Sequence, residues 1–326
     1  MKTMEIAGID RRLSAQVLGT LTFGDTVDKE GARQMISIAR DAGVNIIDTA
    51  NGYADGKAER LLGELRQDLG DSMVICTKAG IPHPDAGGRP PLSSRALRAS
   101  VEGSLSRLGR NNVDVLYLHR PDRETPIIET LHTVRDLHAE GKIRTWGISN
   151  YSAWQIADLH RAAEQVGIVH PAVAQQLYNP IARRLEDEYA EFARSRNLHT
   201  MAYNPLAGGI LSGKYDFSQG PGASGRFASS MVADRYRDRY WNEQLFAGVS
   251  ALNRLADQSG LKLTELALRW VISQRVTSSV LVGATKTEHL QSNFTALSRG
   301  PLEPDLLAAC QEVTDYLRGP MPTYNR

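Results

Sequence analysis

The fold class this sequence predicts is an eight-stranded (β/α)8 TIM barrel with an N-terminal β-hairpin and a long loop after its seventh strand. Three observations lead there. Short apolar runs rich in β-branched residues recur along the chain, and amphipathic stretches of helical length separate them, which is the pattern of a parallel sheet wrapped by helices. The chain has 326 residues, 41% of them hydrophobic, enough for one large barrel core. Residues 1–326 are therefore read as a single domain.

In chain order, residues 4–18 are broken by the polar turn Asp10-Arg11-Arg12. This segment reads as a short hairpin that plugs the barrel floor and runs into a first strand at 15–18. Further strands are expected at 44–47, 73–76, 113–118, 143–148, 173–177, 199–203 and 280–282. Helices are expected at 29–42, 58–69, 93–108, 127–140, 153–166, 185–196 and 245–273. Asp28, Ser93 and Ser152 stand where an N-cap oxygen is wanted, and Gly43, Gly109, Gly141 and Gly167 stand just past helix ends. Residues 212–242, rich in Gly, Arg and aromatic side chains, are too long for an ordinary connection and read as a functional loop over the barrel mouth.

Charge and composition narrow the partners. With 38 Lys and Arg against 37 Asp and Glu the formal charge is +1, so no field is available to hold a nucleic acid or an acidic membrane surface. Cys76 and Cys310 lack the paired spacing of a zinc site or a disulfide framework, which fits a reducing, cytoplasmic setting and no metal. The N-terminus shows no basic segment leading into an apolar core, and no apolar run reaches the roughly 18 residues of a membrane span.

In such a barrel, reactive groups gather where strand ends and the following loops converge. The second strand ends at Asp48, the third at Lys78 and the fourth at His119, and Tyr53 lies in the loop after Asp48. A carbonyl that receives hydride becomes an alkoxide, so a donor must deliver a proton as that charge develops, and a phenol near pKa 10 is a weak donor alone. An adjacent Lys78 ammonium is expected to lower that pKa, Asp48 to keep the lysine charged, and His119 to orient the carbonyl by a hydrogen bond. Singly, each has a plain structural reading: Asp48 a turn residue, Tyr53 a loop aromatic, His119 a partner for backbone groups. An unpaired ammonium ending a buried strand is harder to explain that way. Their arrival together at successive strand ends favours a site.

With these residues in place the chain resembles the aldo-keto reductase superfamily over nearly its whole length. The likeness is carried by Gly19-Thr20-Leu21-Thr22-Phe23-Gly24, Asp48-Thr49-Ala50 with Tyr53, Lys78, Leu118-His119-Arg120-Pro121-Asp122 and Gly147-Ile148-Ser149-Asn150. It implies a catalytic tetrad of Asp48, Tyr53, Lys78 and His119, with Tyr53 as general acid in reduction. It also implies an NADPH site in which Ser149, Asn150 and Gln175 meet the carboxamide and Tyr203 stacks on the nicotinamide. The segment from Asn204, Pro205, Leu206 and Gly208 to Lys214 resembles the pyrophosphate loop. Gly283, Lys286, His289 and Asn293 resemble the adenosine end, with Lys286 toward the 2'-phosphate, although Ala284 and His289 depart from the usual pattern there.

Within the superfamily, Gly225-Arg226-Phe227, the stretch from Tyr236 to Trp241 and the terminal Tyr324-Asn325-Arg326 look like the aflatoxin-aldehyde and succinic-semialdehyde reductase subgroup. By that likeness the substrate is a small carbonyl compound, Arg226 and Arg326 are candidates for binding a substrate carboxylate, and the chain is a homodimer. Two other readings compete. Some relatives are nucleotide-sensing subunits of potassium channels with little turnover, and Lys78 alone would suit an imine-forming isomerase or lyase. Two apparent phosphate motifs do not hold: the glycine run at 220–225 has no strand before it, and Tyr215 stands where a phosphate loop needs Ser or Thr.

Overall fold

Eight parallel strands close on themselves. The computed structural model describes residues 2–70, 72–222, 225–228 and 233–319. An antiparallel pair, β1 (Thr3–Met4) and β2 (Leu13–Ser14), precedes the barrel strand β3 (Gln16–Gly19). There follow α1 (Lys29–Asp41), β4 (Ile46–Asp48), α2 (Lys57–Glu64), α3 (Arg66–Leu69), β5 (Val74–Ala79), α4 (Ser94–Leu108) and β6 (Val113–Leu118). The chain continues through α5 (Ile127–Ala139), β7 (Ile143–Ser149), α6 (Ala153–Val166), β8 (Val173–Leu177), α7 (Tyr189–Ser195) and β9 (His199–Tyr203). It ends with α8 (Ala233–Tyr240), α9 (Glu243–Gln258), α10 (Leu263–Ser273), β10 (Ser279–Val282), α11 (Thr287–Ser298) and α12 (Pro304–Asp315). The barrel order is β10-β3-β4-β5-β6-β7-β8-β9, with β10 pairing both β3 and β9.

Two cores result from the alternation of side chains along each strand. Val17, Ile46, Val74, Cys76, Val115, Tyr117, Val173 and Met201 face inward and pack with Ile6, Ile9 and Leu13 of the N-terminal segment, which thereby closes the floor. Their neighbours Leu18, Ile47, Ile75, Leu116, Ala174 and Ala202 face outward into the layer beneath the helices. Each aliphatic side chain fully removed from water in these layers contributes about 1.5–3 kcal/mol. Gly147 is needed inside because a Cβ there would lie 2.8 Å from the Tyr117 ring and 2.7 Å from the Val173 carbonyl.

Most expected boundaries hold within a residue or two, and the caps explain why. Asp28 accepts from the Gly31 amide at 2.9 Å, Gln155 reaches back to the Ser152 amide at 3.0 Å, and Gly43, Gly109, Gly141 and Gly167 all take positive φ. Three differences stand out. The helix expected over 245–273 is two helices, divided at Ser259-Gly260 where Gly260 takes φ +66°. The segment expected as a loop at 212–242 carries the two-turn helix α8. The helices α11 and α12 fall in a stretch to which no helix was assigned. Ser93, expected as a cap, instead donates its hydroxyl to the Pro90 carbonyl at 2.7 Å. Among the described residues no helix is long and apolar enough to cross a membrane.

Candidate active site

The same alternation that builds the inner core sets the site. Counting in twos from Ile46, Cys76, Tyr117, Val173 and Met201 brings Asp48, Lys78, His119, Gln175 and Tyr203 onto the inner face at the C-terminal end of the barrel. Lys78 and Asp48 are 0% exposed and form an ion pair. The Lys78 ammonium also donates to the Thr49 carbonyl at 2.9 Å and to the Tyr53 hydroxyl at 3.0 Å, using all three of its protons. The second carboxylate oxygen of Asp48 accepts from Gln175 Nε2 at 2.9 Å. Tyr53 and His119 stand edge to face with ring centroids 6.2 Å apart.

Tyr53 is delivered by an unusual turn. Ala54 and Asp55 both take left-handed backbone conformations, φ +47° and +53°, followed by Gly56 at +81°. For residues other than glycine each costs about 1–2 kcal/mol, so the turn persists only because neighbours hold it. Helix α2 does so from below: Glu59, 0% exposed, accepts from Thr77 Oγ1 at 2.5 Å and from Arg107 Nε at 2.7 Å. Thr77 adjoins Lys78 in β5, so one buried network fixes both partners of the phenol–ammonium contact.

Electrostatics differ in one respect from the expectation. Burial pulls the Lys78 ammonium down, but the Asp48 carboxylate and Tyr53 outweigh it and hold the pKa above the ordinary lysine range. The Tyr53 hydroxyl was expected below its ordinary value. It lies above it, because burial outweighs the opposing pull of Lys78. The phenol is thus protonated throughout the neutral range. His119 is driven well below its usual value by burial first and then by Lys78, Arg120 and Arg235, so the imidazole is neutral.

Above this cluster opens a cavity of about 850 Å³. It runs from Tyr53 and His119 past Ser149, Asn150, Gln175 and Tyr203, and it is lined further by Gly19, Thr20, Leu21, Asn204, Pro205, Leu206, Gly208 and Lys214. Gly283, His289 and Asn293 line its far end, and Arg226 also borders it. Lys286 precedes α11, is exposed and does not line the cavity, whereas Lys262 does. Arg326 lies outside the described residues. Arg120, Arg235, Tyr236 and Arg239 line the cavity without having been singled out. The spacing of Arg235, Tyr236 and Arg239 by one and four residues was the available signal, since it places them on one helical face.

The cavity suits an extended dinucleotide. Asn204, Ala207, Gly208 and Gly209 take φ values of +60°, +49°, +70° and +103°, a left-handed run whose amides form a concavity of the kind that receives phosphate oxygens. Asn204 pins the run by accepting from the Gly208 amide at 2.8 Å and donating to the Tyr240 hydroxyl at 2.8 Å. A Cβ on Gly208 would lie 2.4 Å from the Tyr236 ring, so only glycine lets α8 close over it. At the other end Tyr203 donates to Asn150 Oδ1 at 2.6 Å, and Asn150 donates to the His119 carbonyl at 3.0 Å, fixing the polar wall beside the reacting face. Among the described residues no cluster of three or more metal-ligating side chains is present.

Comparison with known proteins agrees with this geometry. The model of the aldo/keto reductase family matches residues 17–315. The chain is 35% identical to aflatoxin B1 aldehyde reductase member 2 of Rattus norvegicus, over 95% of this chain and 87% of that protein. It is 35% identical to aldo-keto reductase family 7 member A3 of Homo sapiens, over 98% and 99%. A probable voltage-gated potassium channel subunit beta of Arabidopsis thaliana is 36% identical over 86% of each chain.

Proposed function

The chain belongs to the aldo/keto reductase family, an oxidoreductase that reduces carbonyl compounds with a nicotinamide cofactor, and we propose that it is an NADPH-dependent aldehyde reductase in which Tyr53 is the proton donor. When bound, the cofactor supplies the hydride that the carbonyl carbon receives. Tyr53 hands its hydroxyl proton to the carbonyl oxygen as negative charge develops there, and Lys78 stabilises the phenolate left behind. Asp48 keeps Lys78 charged and oriented. Neutral His119 donates a hydrogen bond to the substrate oxygen and turns the carbonyl toward Tyr53. Gln175, Ser149 and Asn150, which line the cavity beside Tyr53, would hold the carboxamide, and Tyr203 would bind the nicotinamide.

The single observation that carries this reading is the 3.0 Å contact from the buried Lys78 ammonium to the Tyr53 hydroxyl at the base of a dinucleotide-sized cavity. Preference for NADPH is supported by Lys262 and His289, which line the cavity and supply a cationic and a hydrogen-bonding group for a 2'-phosphate. The chain acts as a single domain in the cytoplasm, a setting that the two buried free thiols Cys76 and Cys310 suit, and the homodimer rests on the subgroup resemblance alone.

The test is NADPH consumption with a panel of aldehydes and identification of the alcohols formed. Turnover that stays at background with NADPH demonstrably bound removes the reductase reading and leaves the cofactor-sensing alternative.

A further inference from the structure

Three guanidinium groups border the cavity near the reacting end. Arg120 follows His119 directly, and Arg235 and Arg239 project from α8 one turn apart, on the same side of that helix as Tyr236. Among the described residues none of the three has a carboxylate within ion-pair distance. The contrast with Arg237 of the same helix is direct: it is paired with Asp234 and donates to the Phe227 carbonyl at 2.5 Å. Arg239 instead rests 5.9 Å from the centroids of both the Tyr236 and Tyr240 rings, which orient its planar fork without neutralising it.

Like charges gathered this way repel. Burial first, then Arg235 and Arg239, lower the Arg120 guanidinium below its ordinary range, so the groups feel one another across the cavity. The chain as a whole carries a formal charge of only +1, so the concentration is local. Nothing in the fold needs it, since α8 is already anchored through Tyr236, Tyr240 and Arg237. Arg120 and Arg235 are exposed and Arg239 is half-buried, and such a concave cluster of cations, with no carboxylate within ion-pair distance among the described residues, is the complement of an anion that arrives with a ligand.

We infer that Arg120, Arg235 and Arg239 form a substrate subsite for a dianionic group, so that the preferred substrates are aldehydes bearing a phosphate monoester. This rests on the reductase reading and names the substrate class of the same site. A single carboxylate is satisfied by one bidentate guanidinium. Three forks match instead a group with nearly two negative charges and three acceptor oxygens. Arg120 follows His119 and, with Arg235, acts on the His119 imidazole, which puts the charged group at the reacting end of the cavity.

The experiment compares glycolaldehyde phosphate, succinic semialdehyde and butanal as substrates with saturating NADPH, in the wild type and in Arg120→Gln and Arg235→Gln. The expected kcat/KM for the phosphate ester exceeds that for butanal by about a hundredfold, and each variant cuts that ratio at least about tenfold, chiefly through KM. Inorganic phosphate titrated into the NADP⁺-saturated enzyme should bind, with Kd about tenfold weaker in either variant. Equal kcat/KM for phosphate ester and butanal overturns the subsite, as does a carboxylate preferred over the phosphate, or a phosphate Kd untouched by the substitutions. Absence of turnover with all three aldehydes overturns the reductase reading itself, an outcome distinct from butanal turnover without preference.

Discussion

Lys78→Met removes the positive member of a buried ion pair while keeping the length and much of the volume of the side chain. Lys78 donates to Asp48, to the Thr49 carbonyl at 2.9 Å and to Tyr53 at 3.0 Å, and both ionic partners are 0% exposed. After the change Asp48 retains, among the described residues, only Gln175 Nε2, at 2.9 Å, as a side-chain donor. Leaving one charge of a buried pair without its partner costs about 3–5 kcal/mol, a large share of the about 5–15 kcal/mol that holds a domain folded. Asp48→Asn in the same background removes the stranded charge and should recover about 2–3 kcal/mol of that loss, a coupling that separate effects cannot produce. The assay is urea unfolding followed by circular dichroism for the wild type, both single variants and the double variant. Losses that simply add, or a Lys78→Met variant destabilised by less than about 1 kcal/mol, would refute the account of a charged, mutually dependent pair. Reduction should remain abolished in the double variant even where stability returns, because the proton donor still lacks its ammonium.

Three further outcomes are expected. His199, whose Nε2 is hydrogen-bonded to Ser279 Oγ at 2.8 Å, is lowered by burial and then by Lys2 to about 4. Its folded pKa lies below the unfolded value near 6.5, so the unfolded chain binds the extra proton and stability is lost as pH falls from about 6.5 to about 4, by about 3 kcal/mol for this residue. Thermal melts across that range check it, with His199→Gln flattening the slope. Reduction of a neutral aldehyde should show no inflection between about pH 6 and 9, since neutral His119 and protonated Tyr53 persist throughout; a histidine-like limb near 6.5 in kcat/KM would contradict both assignments. Gly208→Ala places a Cβ at φ +70° against the Tyr236 ring and should destabilise by more than about 1 kcal/mol while weakening cofactor binding, which fluorescence titration reads directly.

Much of the fold was legible because its signals are local. Apolar runs of β type, cap residues such as Asp28 and glycines such as Gly167 act through their own backbone, and the structure follows them closely. The inward direction of Asp48, Lys78 and His119 was legible from strand-end position alone. What escaped was set by tertiary context. The helix α8 is polar on most of its surface and sits in a Gly- and Arg-rich segment, so its only helical signal is the spacing of a few side chains, and what fixes its place is the packing of Tyr236 and Tyr240 on the 204–209 turn. The break at Gly260 was hidden by continuous amphipathic character on both sides. The raised pKa of Tyr53 was missed because the sequence displays the neighbouring lysine but not the depth of burial, and burial is the larger influence. Arg120 was read as part of a motif rather than as a charge, since its two companions are more than a hundred residues away.

Single-turnover reduction of an aldehyde by NADPH-loaded enzyme, wild type against Tyr53→Phe, tests the central claim most directly. The account predicts a rate of hydride transfer about 10²–10⁴-fold slower in the variant with cofactor Kd little changed, because the ring and its packing remain while the transferable proton is gone. A variant that transfers hydride at the wild-type rate would show that the proton comes from elsewhere and that the phenol at the barrel mouth is only structural.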